Sequence, residues 1–302
     1  MELVSEARSI EIVCKDGVTL GGHLWTSSAG RSTGMVIINP ATGVAARYYH
    51  YYAGFLSRHG FDVVTYDYRG IGRSRPASLR GCGYRWRDWG ELDFDAVLRF
   101  ARARDPGAPL LVVGHSIGGY LPGLAESGPA IHRMLTVGAQ YAYWRDYAQG
   151  HRTRLFFKWH VVMPALTALF GYFPGRKLGW LEDLPSGVAN EWSFRRARME
   201  LSHPGETRAE VLRRFAAISA PILAIAISDD ELGTVAAVRR TLQYYRGATP
   251  TEVLLSPKDL GLESIGHFSL FHSRHASDFW PDTLLWLREG INPWPHRCIT
   301  SP

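Results

Sequence analysis

The sequence predicts an α/β fold: a mostly parallel central sheet with helices on both faces and an inserted cap subdomain. Three observations carry this. Short apolar runs at residues 35–38, 61–66, 110–113 and 134–137 are separated by segments long enough for helices, the alternation expected of parallel strands joined by crossover helices. That rhythm stops near residue 141 and resumes at residues 222–227. A β-prone pair, residues 10–14 and 19–25, flanks a turn containing Asp16-Gly17 and reads as an opening antiparallel hairpin.

The elements follow in order. Between the second and third apolar runs, Trp89, Leu92, Ala96, Val97, Phe100 and Ala101 recur at helical spacing, with Arg99, Arg102 and Arg104 near the end where cations suit the helix dipole. Residues 141–212 are rich in aromatics, among them Tyr143, Trp144, Phe156, Trp159, Trp180 and Trp192, and repeat nothing elsewhere in the chain. Their greasiest stretch, residues 161–173, holds Pro164 and reads as a buried or lid helix. The rhythm then continues with a strand at 222–227, a helix at 234–245, a strand at 252–255 and a helix at 278–289. Residues 1–140 and 213–302 are thus expected to form one core, and residues 141–212 a cap inserted into it.

Composition excludes several classes. With 46% hydrophobic and 21% charged residues among 302, the chain is globular in character. Cys14, Cys82 and Cys298 are too few and scattered for a disulfide framework or a metal site, which favours a reducing compartment and a cytoplasmic location. Charged residues interrupt the N-terminal fifteen, unlike a signal peptide, and no apolar run reaches the roughly 20 residues of a membrane span. The net charge is +6, but Lys and Arg are spread along the chain and no nucleic-acid motif occurs. No metal or organic cofactor is expected.

Gly-x-Ser-x-Gly occurs twice, at residues 30–34 and 114–118. Ser32 precedes a strand, whereas Ser116 follows the apolar run 110–113 and opens a helical stretch, the strand-turn-helix context that exposes a nucleophilic hydroxyl. The small residues Gly114, Gly118 and Gly119 relieve crowding around so tight a bend. The same turn puts the Ile117 amide at a helix N-terminus, where it could stabilise an oxyanion.

A serine hydroxyl needs a base, and the base an orienting acid. Of twelve histidines, His267 stands after the last strand and before the last helix, in a loop that would return to the strand ends. His272 and His275 lie nearer that helix and read as surface residues; His115 should be turned away from Ser116 as a packed neighbour. For the acid, the strand near 221–228 ends in Asp229-Asp230, between nucleophile and histidine in chain order. Either could serve, and Asp230 is favoured because the chain has just turned there.

With these residues the chain resembles the α/β-hydrolase superfamily, and it looks most like bacterial esterase-like members related to the serine-aminopeptidase group, over nearly its whole length. Besides Gly-His-Ser-Ile-Gly-Gly at 114–119, the segment Asp67-Tyr68-Arg69-Gly70-Ile71-Gly72-Arg73-Ser74 is similar to the family's Asp-x-Arg-Gly-x-Gly-x-Ser. The resemblance implies that this segment shapes the site without doing chemistry. Many relatives carry His-Gly where this chain has Asn39-Pro40-Ala41-Thr42-Gly43; position matching then makes the Ala41 amide the second oxyanion donor, while Asn39 could hold the loop. The function expected is that of a carboxylesterase-like serine hydrolase acting on a small acyl substrate with an apolar portion. The alternatives are an acyltransferase using the same triad and a non-catalytic ligand-binding protein.

Overall fold

The computed structural model describes residues 7–299. The first six residues, which belong to the stretch read for a signal peptide, lie outside the described residues, as do the extreme ends of the expected core segments. Strands β1 (Ala7–Val13), β2 (Thr19–Trp25), β3 (Met35–Asn39), β4 (Asp62–Tyr66), β5 (Leu110–His115) and β6 (Ile131–Val137) precede a two-residue pair, β7 (Tyr172–Phe173) and β8 (Leu184–Pro185). Strands β9 (Ile222–Ile227) and β10 (Pro250–Leu255) follow. The main sheet runs β1-β2-β4-β3-β5-β6-β9-β10. β2 is antiparallel to β1 and β4, and every other pairing in that sheet is parallel.

The helices are α1 (His50–Arg58), α2 (Asp95–Arg104), α3 (Arg152–Phe156), α4 (Met163–Phe170), α5 (Ser186–Ser193), α6 (Arg208–Ala217), α7 (Val235–Leu242) and α8 (Phe279–Glu289). Both sheet faces are covered. Ile37, Val112 and Ala224 pack with Val97 of α2, Phe215 of α6 and Val238 of α7. Their chain neighbours Val36, Val113 and Ile225 point the other way, with Tyr52 and Phe55 of α1 and Leu284 of α8. Burial on both faces is why β3, β5 and β9 read as unbroken apolar runs without alternation.

Two helices depart from simple expectation. The helix predicted from Trp89 begins with a π turn, Trp89–Phe94, before α2. The apolar stretch around Pro164 is a longer helical run: α3, a π turn at Phe157–Val162, then α4, which stops at the left-handed Gly171. Pro164 has no N–H to give a carbonyl one turn back, and the wider winding just before it accommodates that loss. Residue 212 falls inside α6. Among the described residues no helix is long and apolar enough to cross a membrane.

Candidate active site

Ser116 sits directly after β5 with φ 55°, one of two non-glycine residues in the described chain with positive φ. Such a conformation costs on the order of 1–3 kcal/mol and persists only where the surroundings impose it. Here they do. Asn39 at the end of β3 donates from Nδ2 to the Gly118 carbonyl (3.1 Å), while its Oδ1 accepts from the Tyr66 hydroxyl (2.8 Å). A Cβ on Gly118 would lie 2.2 Å from the Asn39 carbonyl oxygen. Gly118→Ala must therefore push the Ser116 turn off β3, and we expect it to cost about 1–3 kcal/mol of stability and to slow any reaction at Ser116; unchanged melting and labelling would contradict this.

The helix expected after Ser116 is instead two short 3-10 turns, Ser116–Gly119 and Leu121–Leu124. Gly118, Gly119, Pro122 and Gly123 supply little helix propensity, and Pro122 no amide. The Ile117 amide thus stands at the start of one short turn, with no long helix dipole behind it. The rival Ser32 donates to the Gly34 carbonyl and accepts from the Asp62 amide before β3. Since β3 and β5 are parallel, it lies at the opposite end of the sheet from Ser116.

Asp230 and His267 meet in the loops that follow β9 and β10. His267 Nδ1 is 2.7 Å from Asp230 Oδ2, and both side chains are buried. Asp230 Oδ1 accepts the Leu232 and Gly233 amides, each at 2.8 Å. Burial alone would raise the Asp230 pKa, but the pairing with His267 and these amide bonds outweigh it and hold the carboxyl below its ordinary value. Asp229 is exposed and does something else: its carboxylate accepts the Ile265 and Gly266 amides, so it shapes the loop that presents His267. His272 is exposed, but His275 is fully buried and pairs with Asp278 at 2.9 Å, which corrects its reading as a surface residue.

Ser116 and His267 line one cavity of about 110 Å³. Leu155, Lys158, Trp159, Trp180, Leu181 and Trp192, from the stretch between β6 and β9, also line it. Trp159 stacks on Trp192 at 4.5 Å between centroids. These two rings are part of a packed core as well as a cavity wall, whereas Trp180 and Phe268 are 37% and 44% exposed. Gln140, which sequence reasoning missed, reaches Ser116 Oγ from its Nε2 at 3.4 Å. Among the described residues no three His, Cys, Asp or Glu side chains converge as a metal site requires.

A family model described as serine aminopeptidase, S33, matches residues 30–186, just over half of the chain. The chain belongs to this family. The match contains Ser116; Asp230 and His267 lie beyond it. No curated protein sequence matches the chain. Among solved structures, an esterase of Pyrococcus furiosus superposes with a TM-score of 0.58 at 17% identity, covering 95% of this chain and 91% of that one. A soluble variant of the Saccharomyces cerevisiae monoglyceride lipase, bound to a substrate analogue, gives 0.65 at 14% identity, covering 99% and 96%. An acylaminoacyl peptidase of Pyrococcus horikoshii gives 0.55 at 12% identity, covering 95% of this chain and 42% of that one. The fold is that of the α/β hydrolases.

In this S33 family member the amide expected as the second oxyanion donor has a side-chain partner. The Ala41 N–H donates to Tyr49 Oη at 2.9 Å and is already committed. Because that hydroxyl accepts from Ala41, its own hydrogen goes to His115 Nδ1 (2.7 Å), leaving the His115 Nε2–H to donate to the His267 carbonyl (2.8 Å). Burial, with His267 alongside, pushes the His115 pKa down to about 3, which favours the neutral ring that this chain of bonds requires. His115 is therefore more than a packed neighbour: it ties the loop after β3 to the loop of His267. Tyr48 Oη adds a second tie, to the Phe268 carbonyl (2.7 Å).

Tyr49→Phe would leave the Ala41 amide and His115 Nδ1 buried without partners. The expected loss is about 1–3 kcal/mol for each group so stranded, read as a lower midpoint in denaturant unfolding; an unchanged midpoint would show that the relay carries no load. The Asp67–Ser74 segment is scaffold of the same kind. The Asp67 carboxylate accepts the Ala46 and Arg73 amides, and buried Arg69 pairs with Asp93 (2.6 Å) and Asp16 (2.7 Å).

Proposed function

We propose that this α/β hydrolase is a serine hydrolase that cleaves a carboxylester-like acyl bond through an acyl-enzyme on Ser116. The observation that carries the reading is the convergence of a strained, cavity-lining serine with a histidine whose Nδ1 is bound to a buried carboxylate. With Nδ1–H given to Asp230, His267 keeps Nε2 free to accept a proton. Ser116 Oγ attacks the acyl carbon and its proton passes to His267 Nε2. The Ile117 amide donates to the oxyanion. Collapse expels the alcohol, which takes the proton from His267, and water then attacks the acyl-enzyme by the reverse sequence to release the acid.

Residues 141–212 act as the cap in this reading, since their tryptophans and leucines line the same cavity as the nucleophile, and they favour an apolar portion in the substrate. The preference for esters is supported by the esterase and lipase likenesses. The free thiols Cys14, Cys82 and Cys298 fit a cytoplasmic setting. The test is fluorophosphonate labelling read by intact mass, followed by a panel of short to long acyl esters: one adduct and turnover of at least part of the panel are expected, and absence of both would overturn the proposal.

A further inference from the structure

We propose that Lys158 adapts this cavity to esters that also carry a carboxylate, on the acyl or the alcohol portion, separated from the scissile bond by an apolar spacer. The inference rests on the hydrolase reading above and names its substrate class. Lys158 lines the same cavity as Ser116, and its ammonium lies over the rings of Trp159 (4.4 Å) and Trp180 (4.2 Å). The rings hold the charge in place but accept none of its three N–H donors in an ordinary hydrogen bond. Among the described residues the Lys158 ammonium has no ion-pair or hydrogen-bond partner; the Glu231 carboxylate and the Arg154 guanidinium act on its charge only through space, in opposite directions.

Three other cations of residues 141–212 have carboxylate partners, while Arg145, Lys177 and Arg195 lie over aromatic rings and do not themselves line this cavity. Arg176 pairs with Glu182, Arg198 with Glu200, and Arg154 with Glu231. Glu231 is the one carboxylate lining the cavity, and its Oε2 is engaged by Arg154 and His151. A half-buried ammonium left without an ion-pair partner in contact, in an aromatic cavity, is suited to an anion arriving with the substrate. A single ammonium matches a monoanion, and the tryptophan walls match a methylene or aryl spacer between ester and carboxylate.

The test compares kcat/KM for paired probes that differ only in a terminal carboxylate or a terminal carboxamide. One series is the mono-4-nitrophenyl esters of hexanedioic to decanedioic acid; the other is 4-carboxyphenyl against 4-carbamoylphenyl alkanoates. The native protein should prefer the carboxylate by roughly tenfold in at least one series. Lys158→Gln and Lys158→Met should bring that ratio near one, and Lys158→Arg should keep part of it. Lys177→Gln removes a charge of the same segment beside Phe170 and should leave the ratio as in the native protein. A native ratio near one, or one that survives Lys158→Gln, overturns the inference while a fluorophosphonate adduct keeps the hydrolase reading. No turnover of any probe and no adduct overturns both.

Discussion

Ser116→Ala should abolish the fluorophosphonate adduct and lower kcat on any ester the native protein turns over by on the order of 10⁶-fold. The size follows from chemistry: without Oγ there is no acyl-enzyme, and what remains is the rate water achieves beside an oriented imidazole and an amide donor. The fold should be unaffected, because alanine keeps the Cβ and the Asn39, Gly118 and Tyr66 bonds that impose the turn do not involve the hydroxyl. A melting curve run beside the kinetics separates lost chemistry from lost structure. Near-native turnover in a folded Ser116→Ala protein would sink the proposal; an adduct surviving the substitution would mean that another nucleophile was being labelled.

How legible all this was in the sequence depends on what kind of signal each residue leaves. Strands β3, β5 and β9 were legible because a sheet covered on both faces demands continuous apolar runs, and Ser116 because its glycines sit where backbone approaches backbone. The pairing of Asp230 with His267 was legible from chain order and strand ends, although Asp229 could be set apart only once its carboxylate was seen on the Ile265 and Gly266 amides. The contacts of Tyr49 and His115 left no signal. They span 66 residues to each other and 152 from His115 to His267, and a tyrosine in an aromatic-rich helix start looks the same whether it packs or donates. The bond from the Ala41 amide left no signal for the same reason, since matching positions says nothing of an amide already bound to a side chain from the next turn.

Asp230→Asn should lower kcat by on the order of 10⁴-fold while changing KM little. Asp230 is buried behind His267 and is absent from the cavity wall, so the loss acts through the imidazole and not through substrate contact. A carboxylate accepts the Nδ1–H and fixes Nε2 as the proton acceptor; an asparagine can turn its amide toward Nδ1 and favour the opposite tautomer, with Nε2 already protonated. Asp229→Asn should not reproduce this effect, because that residue holds loop amides and does not touch the ring. The acid-side stability gives an independent readout. A carboxyl whose folded pKa lies below its unfolded value contributes stability above the ordinary carboxylate range, and loses it as pH falls through the depressed folded value. Unfolding free energy should therefore fall less steeply on acidification, from about pH 5 downward, in Asp230→Asn than in the native protein. Near-native kcat would take the orienting role away from the buried Asp230–His267 pair, and parallel pH profiles would show that it contributes no acid-side stability either.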